Sequence, residues 1–102
     1  MRTARVALAQ IEPKLGDLEA NFDLHARAVR DARRAGAGLV VFPELSLTGY
    51  LLRDQVPEVA IRADSREFAR LARLSRDVDV VAGFVDETPG HLYRNAAAYL
   101  SG

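Results

Sequence analysis

Leu39-Val40-Val41-Phe42 is an unbroken apolar run that stops at Pro43-Glu44, and few folds accommodate such a segment. A strand without polar alternation has to be covered on both faces, which is the condition of a central strand in a parallel sheet. Parallel neighbours need crossover connections, so the chain must supply helices between its strands. The residues upstream do so. Residues 5–11 are short, apolar and compatible with a strand, and Glu12-Pro13 ends it. Asp17 suits an N-cap, with Glu19 favourable in the first turn. Leu18, Phe22, Ala26 and Val29 recur at helical spacing, continued by Ala32 or Arg33. Gly36 and Gly38 then stop the helix. Strand, helix, strand over this length is a βαβ unit, expected to cross over right-handed.

Beyond Tyr50 the pattern is less regular, and Pro57 predicts the interruption of any helix there. Asp64 with Glu67 reads as a capping box opening a second helix, whose core side is Phe68, Leu71, Ala72 and Ser75. Residues 78–85 form a third strand containing Gly83. Thr88-Pro89-Gly90-His91 fits a type II turn, with proline second and glycine third. Residues 92–100 return as a fourth strand, antiparallel to the third. The order βαβαββ predicts one α/β domain across residues 1–102, with helices on at least one face of the sheet. Two helices leave one side of four strands poorly covered. An ending at Ser101-Gly102, directly after a strand, suits the amino-terminal portion of a larger domain.

Composition narrows the function classes. Hydrophobic residues make up 49% and charged residues 27% of the 102, and the formal net charge is zero. That balance is globular and gives no electrostatic reason to expect nucleic acid or a membrane surface as a partner. No apolar run reaches the length of a bilayer span, and the first residues lack the apolar segment of a signal peptide, so a cytoplasmic protein is expected. Cysteine is absent, which excludes disulfides, thiolate metal sites and a cysteine nucleophile within these residues.

Glu12-Pro13-Lys14-Leu15-Gly16 stands where a glycine-rich phosphate loop would follow the first strand, and no cofactor is expected. His25 and His91 form no ligand-spaced pair, so no metal is expected. His25 reads as a core-edge or surface residue of the first helix. Arg27, Arg30, Arg33 and Arg34 read as its solvated face. Ser46 lies near Glu44, but no nucleophile elbow and no histidine accompany it in sequence, which leaves it as a turn residue. Glu44 remains, an acid at the carboxyl end of a strand, where open α/β sheets collect ligands. The plainer alternative is the first solvated residue after the strand, or a capping acid. A lone carboxylate acts as a general base only where a neighbour has a proton to release.

Phe42-Pro43-Glu44-Leu45-Ser46-Leu47-Thr48-Gly49-Tyr50 closely resembles the first catalytic motif of the nitrilase, or carbon–nitrogen hydrolase, superfamily. Val6-Ala7-Leu8-Ala9-Gln10 resembles that family's first strand, and Gly16-Asp17 with Asn21 resembles the start of its first helix. Ala35 to Val41 resembles the approach to the acid. Gly83-Phe84-Val85 and Leu92-Tyr93-Arg94-Asn95-Ala96-Ala97 resemble the later hairpin. The resemblance spans essentially all 102 residues in order. It implies the amino-terminal portion of a nitrilase-like αββα sandwich and a Glu–Lys–Cys triad that cleaves a non-peptide C–N bond through a thioester. Glu44 matches the base that takes the thiol proton.

The family's lysine and cysteine would lie beyond residue 102, and Lys14, the one lysine of the chain, does not match. The resemblance thus implies a fragment inactive alone, whose parent acts on a small amide or nitrile. Thr48 and Tyr50 would line the substrate pocket or, alternatively, shape the turn. Asn95 reads as structural. Family membership further implies a homo-oligomer. The Leu47-Thr48-Gly49-Tyr50 stretch also resembles the glutaminase part of glutamine-dependent NAD synthetases. A non-catalytic binding or assembly module retaining half of the fold is the alternative of a different class.

Overall fold

The computed structural model describes residues 4–50 and 55–102. Three parallel strands and one antiparallel strand form a single sheet, in the order β1-β2-β3-β4. These are β1 (Val6–Leu8), β2 (Leu39–Val41), β3 (Asp79–Glu87) and β4 (Tyr93–Leu100). Val40 of β2 pairs in register with Ala7 and Val80, so the apolar run is the inner parallel strand its pattern demanded. The β3–β4 hairpin is the longest pairing, from Val80↔Leu100 to Glu87↔Tyr93.

The 17-residue helix α1 (Leu18–Arg34) begins where Asp17 Oδ1 accepts the Ala20 N–H at 3.0 Å. It ends at Gly36, whose φ of +84° is the left-handed conformation glycine takes without strain. There Gly36 N–H reaches the Arg33 carbonyl and Ala37 N–H the Ala32 carbonyl, the paired bonds of a Schellman close. A short α2 (Val56–Val59) and an eight-residue α3 (Arg66–Arg73) follow.

Phe22 and Ala32 of α1, Leu71 of α3, and Val40, Val80, Ala82, Phe84 and Leu100 of the sheet form one buried cluster. Phe68 stands edge-on to Phe84 with ring centroids 6.0 Å apart. Each large aliphatic or aromatic side chain removed from water here contributes about 1.5–3 kcal/mol. Both long helices therefore serve one face of the sheet. On the other face Val6 and Leu8 are exposed, Leu39 and Val41 are half-buried, and Tyr99 stands in solvent with its hydroxyl donated to Asp79. The expected full cover over β2 is thus present on one side only. No helix among the described residues is long and apolar enough to cross a membrane.

Three local expectations are corrected. Pro57 does not interrupt a helix but sits in the first turn of α2, where its missing N–H costs nothing. The cap of α3 is Ser65, not Asp64: Ser65 Oγ accepts the Phe68 N–H at 3.1 Å, while Asp64 pairs with Arg62. The hairpin turn is not type II, because Gly90 keeps a negative φ and His91 takes +60° instead. The turn closes through His91 N–H to the Thr88 carbonyl, 2.9 Å, and Thr88 Oγ1 accepts the Leu92 N–H.

Candidate active site

β2 ends in a tight, internally bonded turn. Phe42 N–H still reaches the Val81 carbonyl at 2.9 Å, after which the chain leaves the ladder. Thr48 and Gly49 both donate to the Leu45 carbonyl, at 3.1 and 2.8 Å. Leu45 has a φ of +50°, a left-handed conformation that costs a residue bearing a Cβ about 1–2 kcal/mol. Such strain persists only where the surroundings impose it.

The surroundings are visible on β3. A Cβ at Gly83 would collide with the Leu45 nitrogen and lie 2.8 Å from the Pro43 carbonyl oxygen and 3.0 Å from the Glu44 carbonyl carbon. A glycine inside a strand weakens it and often marks the close approach of another backbone. Here that backbone carries Glu44. Leu47 N–H to the Gly83 carbonyl, 3.0 Å, fixes the approach.

Glu44 emerges exposed on the uncovered face of the sheet, where Asn95 Nδ2 of β4 donates to its Oε1. The acid and the amide flank a hollow of about 390 Å³, also lined by Phe42, Pro43, Val81 and Gly83. Asn95, read as structural from sequence, is thus the side chain that touches the candidate acid. Its cue lay in strand pairing: Val85↔Asn95 and Gly83↔Ala97 place it beside the glycine over which the turn folds.

Behind the turn lies a buried polar chain. His25 and Ser46 are both fully buried, with His25 Nε2 2.8 Å from Ser46 Oγ. His25 Nδ1 lies 2.6 Å from the Asn21 carbonyl, which can only accept, so Nδ1 carries the proton; Nε2, at 2.8 Å, then accepts the Ser46 hydroxyl ahead of the Gly83 carbonyl 3.4 Å away. Ser46 Oγ in turn accepts the Gly83 N–H at 3.1 Å. The imidazole stacks on Phe42 at 4.2 Å. Burial pushes the His25 pKa below its ordinary value, against the opposing pull of the Asn21 carbonyl. His25 is therefore neither core-edge nor surface, and Ser46 does have a histidine partner, 21 residues upstream. Helical periodicity could not show this, because the α1 face that meets the turn carries Asn21 and His25, two polar residues.

Asn21 completes the clamp. Its amide donates to the Lys14 and Leu47 carbonyls, each at 2.8 Å, and its Oδ1 accepts the Lys14 N–H at 2.7 Å. Among the described residues no buried side-chain nitrogen or oxygen lacks a partner.

The remaining sequence candidates separate. Thr48 is fully buried, with its hydroxyl on the Gly49 carbonyl at 3.0 Å, and so has no surface to offer a ligand. Tyr50 is exposed and borders a shallow depression of about 240 Å³ with Leu45, Val56, Val85, Tyr93 and Asn95. Lys14 pairs with Asp17 at 3.5 Å, in solvent. Among the described residues no group of three or more His, Asp or Glu side chains could hold a metal ion.

Residues 5–102 match the family model for carbon-nitrogen hydrolases. The chain is 30% identical over 103 residues to a glutamine-dependent NAD(+) synthetase of Acinetobacter baylyi, covering all of this chain and 19% of that protein. It is 33% identical over 97 residues to a nitrilase of Pyrococcus abyssi, covering 90% of this chain and 37% of the other. Among solved structures, a glutamate-to-glutamine mutant of the amidase from Nesterenkonia sp. AN1, showing Michael addition of acrylamide at the active site cysteine, superposes with a TM-score of 0.81. Identity there is 25%, over 95% of this chain and 39% of the amidase. The chain thus spans roughly a fifth to two fifths of the length of these relatives.

Proposed function

The chain belongs to the carbon-nitrogen hydrolase family, and from that premise we propose that it is the acid-bearing, amino-terminal portion of an amidase- or nitrilase-type enzyme. Glu44 is its general base. The observation that carries this reading is the placing of one carboxylate on the open sheet face, hydrogen-bonded by Asn95 and held by a strained turn. A merely solvated acid would need neither. The amidase with a glutamate replaced by glutamine, which carries acrylamide on its active site cysteine, lends support to a cysteine-dependent chemistry.

In this reading a lysine and a cysteine outside the 102 residues meet the face that carries Glu44. The carboxylate takes the thiol proton, which a free cysteine with a pKa near 8.5 would otherwise keep at neutral pH. The sulfur forms a bond to the amide carbon, and the carbonyl electrons move to oxygen, where the lysine stabilises them. When they return, the C–N bond breaks and the nitrogen leaves with the proton that Glu44 had taken. Water, deprotonated by the same carboxylate, then splits the thioester and releases the acid and the thiol. Asn95 keeps the carboxylate aimed throughout. Tyr50, exposed on the neighbouring depression that shares Asn95 with the acid's hollow, meets substrate in this reading.

Glutamine is a specific candidate substrate, because a glutamine-dependent NAD(+) synthetase matches the whole chain. The test is Glu44→Gln in the complete protein, assayed by ammonia release from glutamine, aliphatic amides and nitriles. A fall in kcat of about 10²–10⁴-fold is expected for loss of a general base. Undiminished turnover refutes the assignment, and a substrate profile confined to glutamine selects the glutaminase reading.

A further inference from the structure

We infer that His25 and Ser46 are positioning residues: their buried hydrogen-bond chain sets the turn that aims Glu44. The inference rests on the reading of Glu44 as the base, and it adds two residues that touch no reacting atom.

Glu44 and Ser46 flank Leu45, the residue held at φ +50°. Left alone, such a turn relaxes toward a less strained backbone and swings the carboxylate away from Asn95. Three contacts oppose that relaxation, and all converge on Ser46 and its neighbour. The Ser46 hydroxyl is given to His25 Nε2, its oxygen receives the Gly83 N–H, and Leu47 N–H is tied to the Gly83 carbonyl. Ser46 thereby replaces the β2 residue that would have bonded Gly83 had the ladder continued. His25 fixes the direction of the hydroxyl, because its other nitrogen must donate to the Asn21 carbonyl. The ring itself is held by Phe42, two residues before the acid. Filling space alone needs no polar ring in a fully buried position, where a polar group left unpaired is destabilising.

The chain of bonds predicts an order among variants. In His25→Gln the side-chain amide oxygen can stand where Nε2 stood and still accept from Ser46. His25→Leu fills a comparable volume with no acceptor. Ser46→Ala removes the shared hydroxyl.

In the complete protein, ammonia release should show kcat lowered at least tenfold in His25→Leu and Ser46→Ala, with KM within threefold. His25→Gln should recover at least a third of the kcat that His25→Leu loses. A role in packing alone gives another pattern: His25→Leu with wild-type kcat, or both histidine variants equally impaired, overturns the inference.

A second measurement needs no variant. The ¹⁵N shifts of His25 in the unmodified protein should report Nδ1 protonated and Nε2 unprotonated at neutral pH. The opposite tautomer breaks the chain and refutes it. Failure of the base reading is separable: if Glu44→Gln keeps full turnover, the aim of the turn is still judged by the Asn95 side-chain amide resonances. These should shift in His25→Leu relative to wild type, and their constancy overturns the positioning role on its own.

Discussion

Gly83→Ala tests whether the backbone of the acid-bearing turn rests on β3. The added methyl would collide with the Leu45 nitrogen and sit 2.8 Å from the Pro43 oxygen. Both are backbone atoms, so neither can swing aside as a flexible side chain could. Overpacking of this kind costs about 1–3 kcal/mol. Relief requires the turn to lift, which stretches the bonds from Leu47 N–H and to Ser46 Oγ, each worth about 0.5–1.5 kcal/mol. Alanine restricts the unfolded chain and returns about 0.4–1 kcal/mol. The net expectation is a loss of about 2–4 kcal/mol, or a Tm at least ~8 °C lower for a domain of this size.

Gly38→Ala and Gly90→Ala are matched controls. Nothing lies within 4 Å of a Cβ at Gly38, the nearest atom at Gly90 is 3.9 Å away, and neither position has a positive φ. Both should stay within about 0.5 kcal/mol of wild type. Urea unfolding followed by circular dichroism measures all three. A Gly83→Ala midpoint coinciding with those of the controls would show that the turn does not bear on this strand.

Acid should destabilise the chain through His25. Its folded-state pKa is depressed by burial, so the unfolded state binds the proton more readily and stability falls as pH drops below about 6.5, by up to about 1.4 kcal/mol per pH unit. Unfolding curves at pH 7.5, 6.5 and 5.5 should show this slope, and His25→Gln should flatten it; an equal slope in the variant contradicts the assignment. Ser65→Ala should cost about 1 kcal/mol in the same assay through loss of the α3 cap. Asp64→Ala should cost less than half of that, and equal losses would return the cap to Asp64.

The framework of the fold was legible because it rests on periodicity. Leu39 to Phe42 dictate an inner strand, Asp17 and Gly36 bound α1, and Phe68, Leu71 and Ala72 mark the inward side of α3, while Ser75 is buried just beyond its end. What escaped depends on partners distant in sequence. The α3 cap shifted by one residue because Ser65, Asp64 and Glu67 offer overlapping capping patterns, and only the geometry chooses among them. His91 took the left-handed position of the hairpin because the turn twists to match its strands. At the site, the place of Glu44 at the end of its strand is legible in the sequence, while its contact with Asn95 and the support from His25 are not. One reaches the acid across the hairpin, 51 residues away, and the other supports the turn from a helix 21 residues upstream.

Leu45 carries a consequence for anyone seeking a hardier version of this protein. Asparagine accepts its positive φ more comfortably, and where that relief exceeds the loss of the Leu45 packing against Val59 and Val85 the melting point rises. The same relief would free the neighbouring carboxylate to wander. Robustness and aim are set against each other at a single peptide unit, and thermostability screens that ignore turnover would select the blunter molecule.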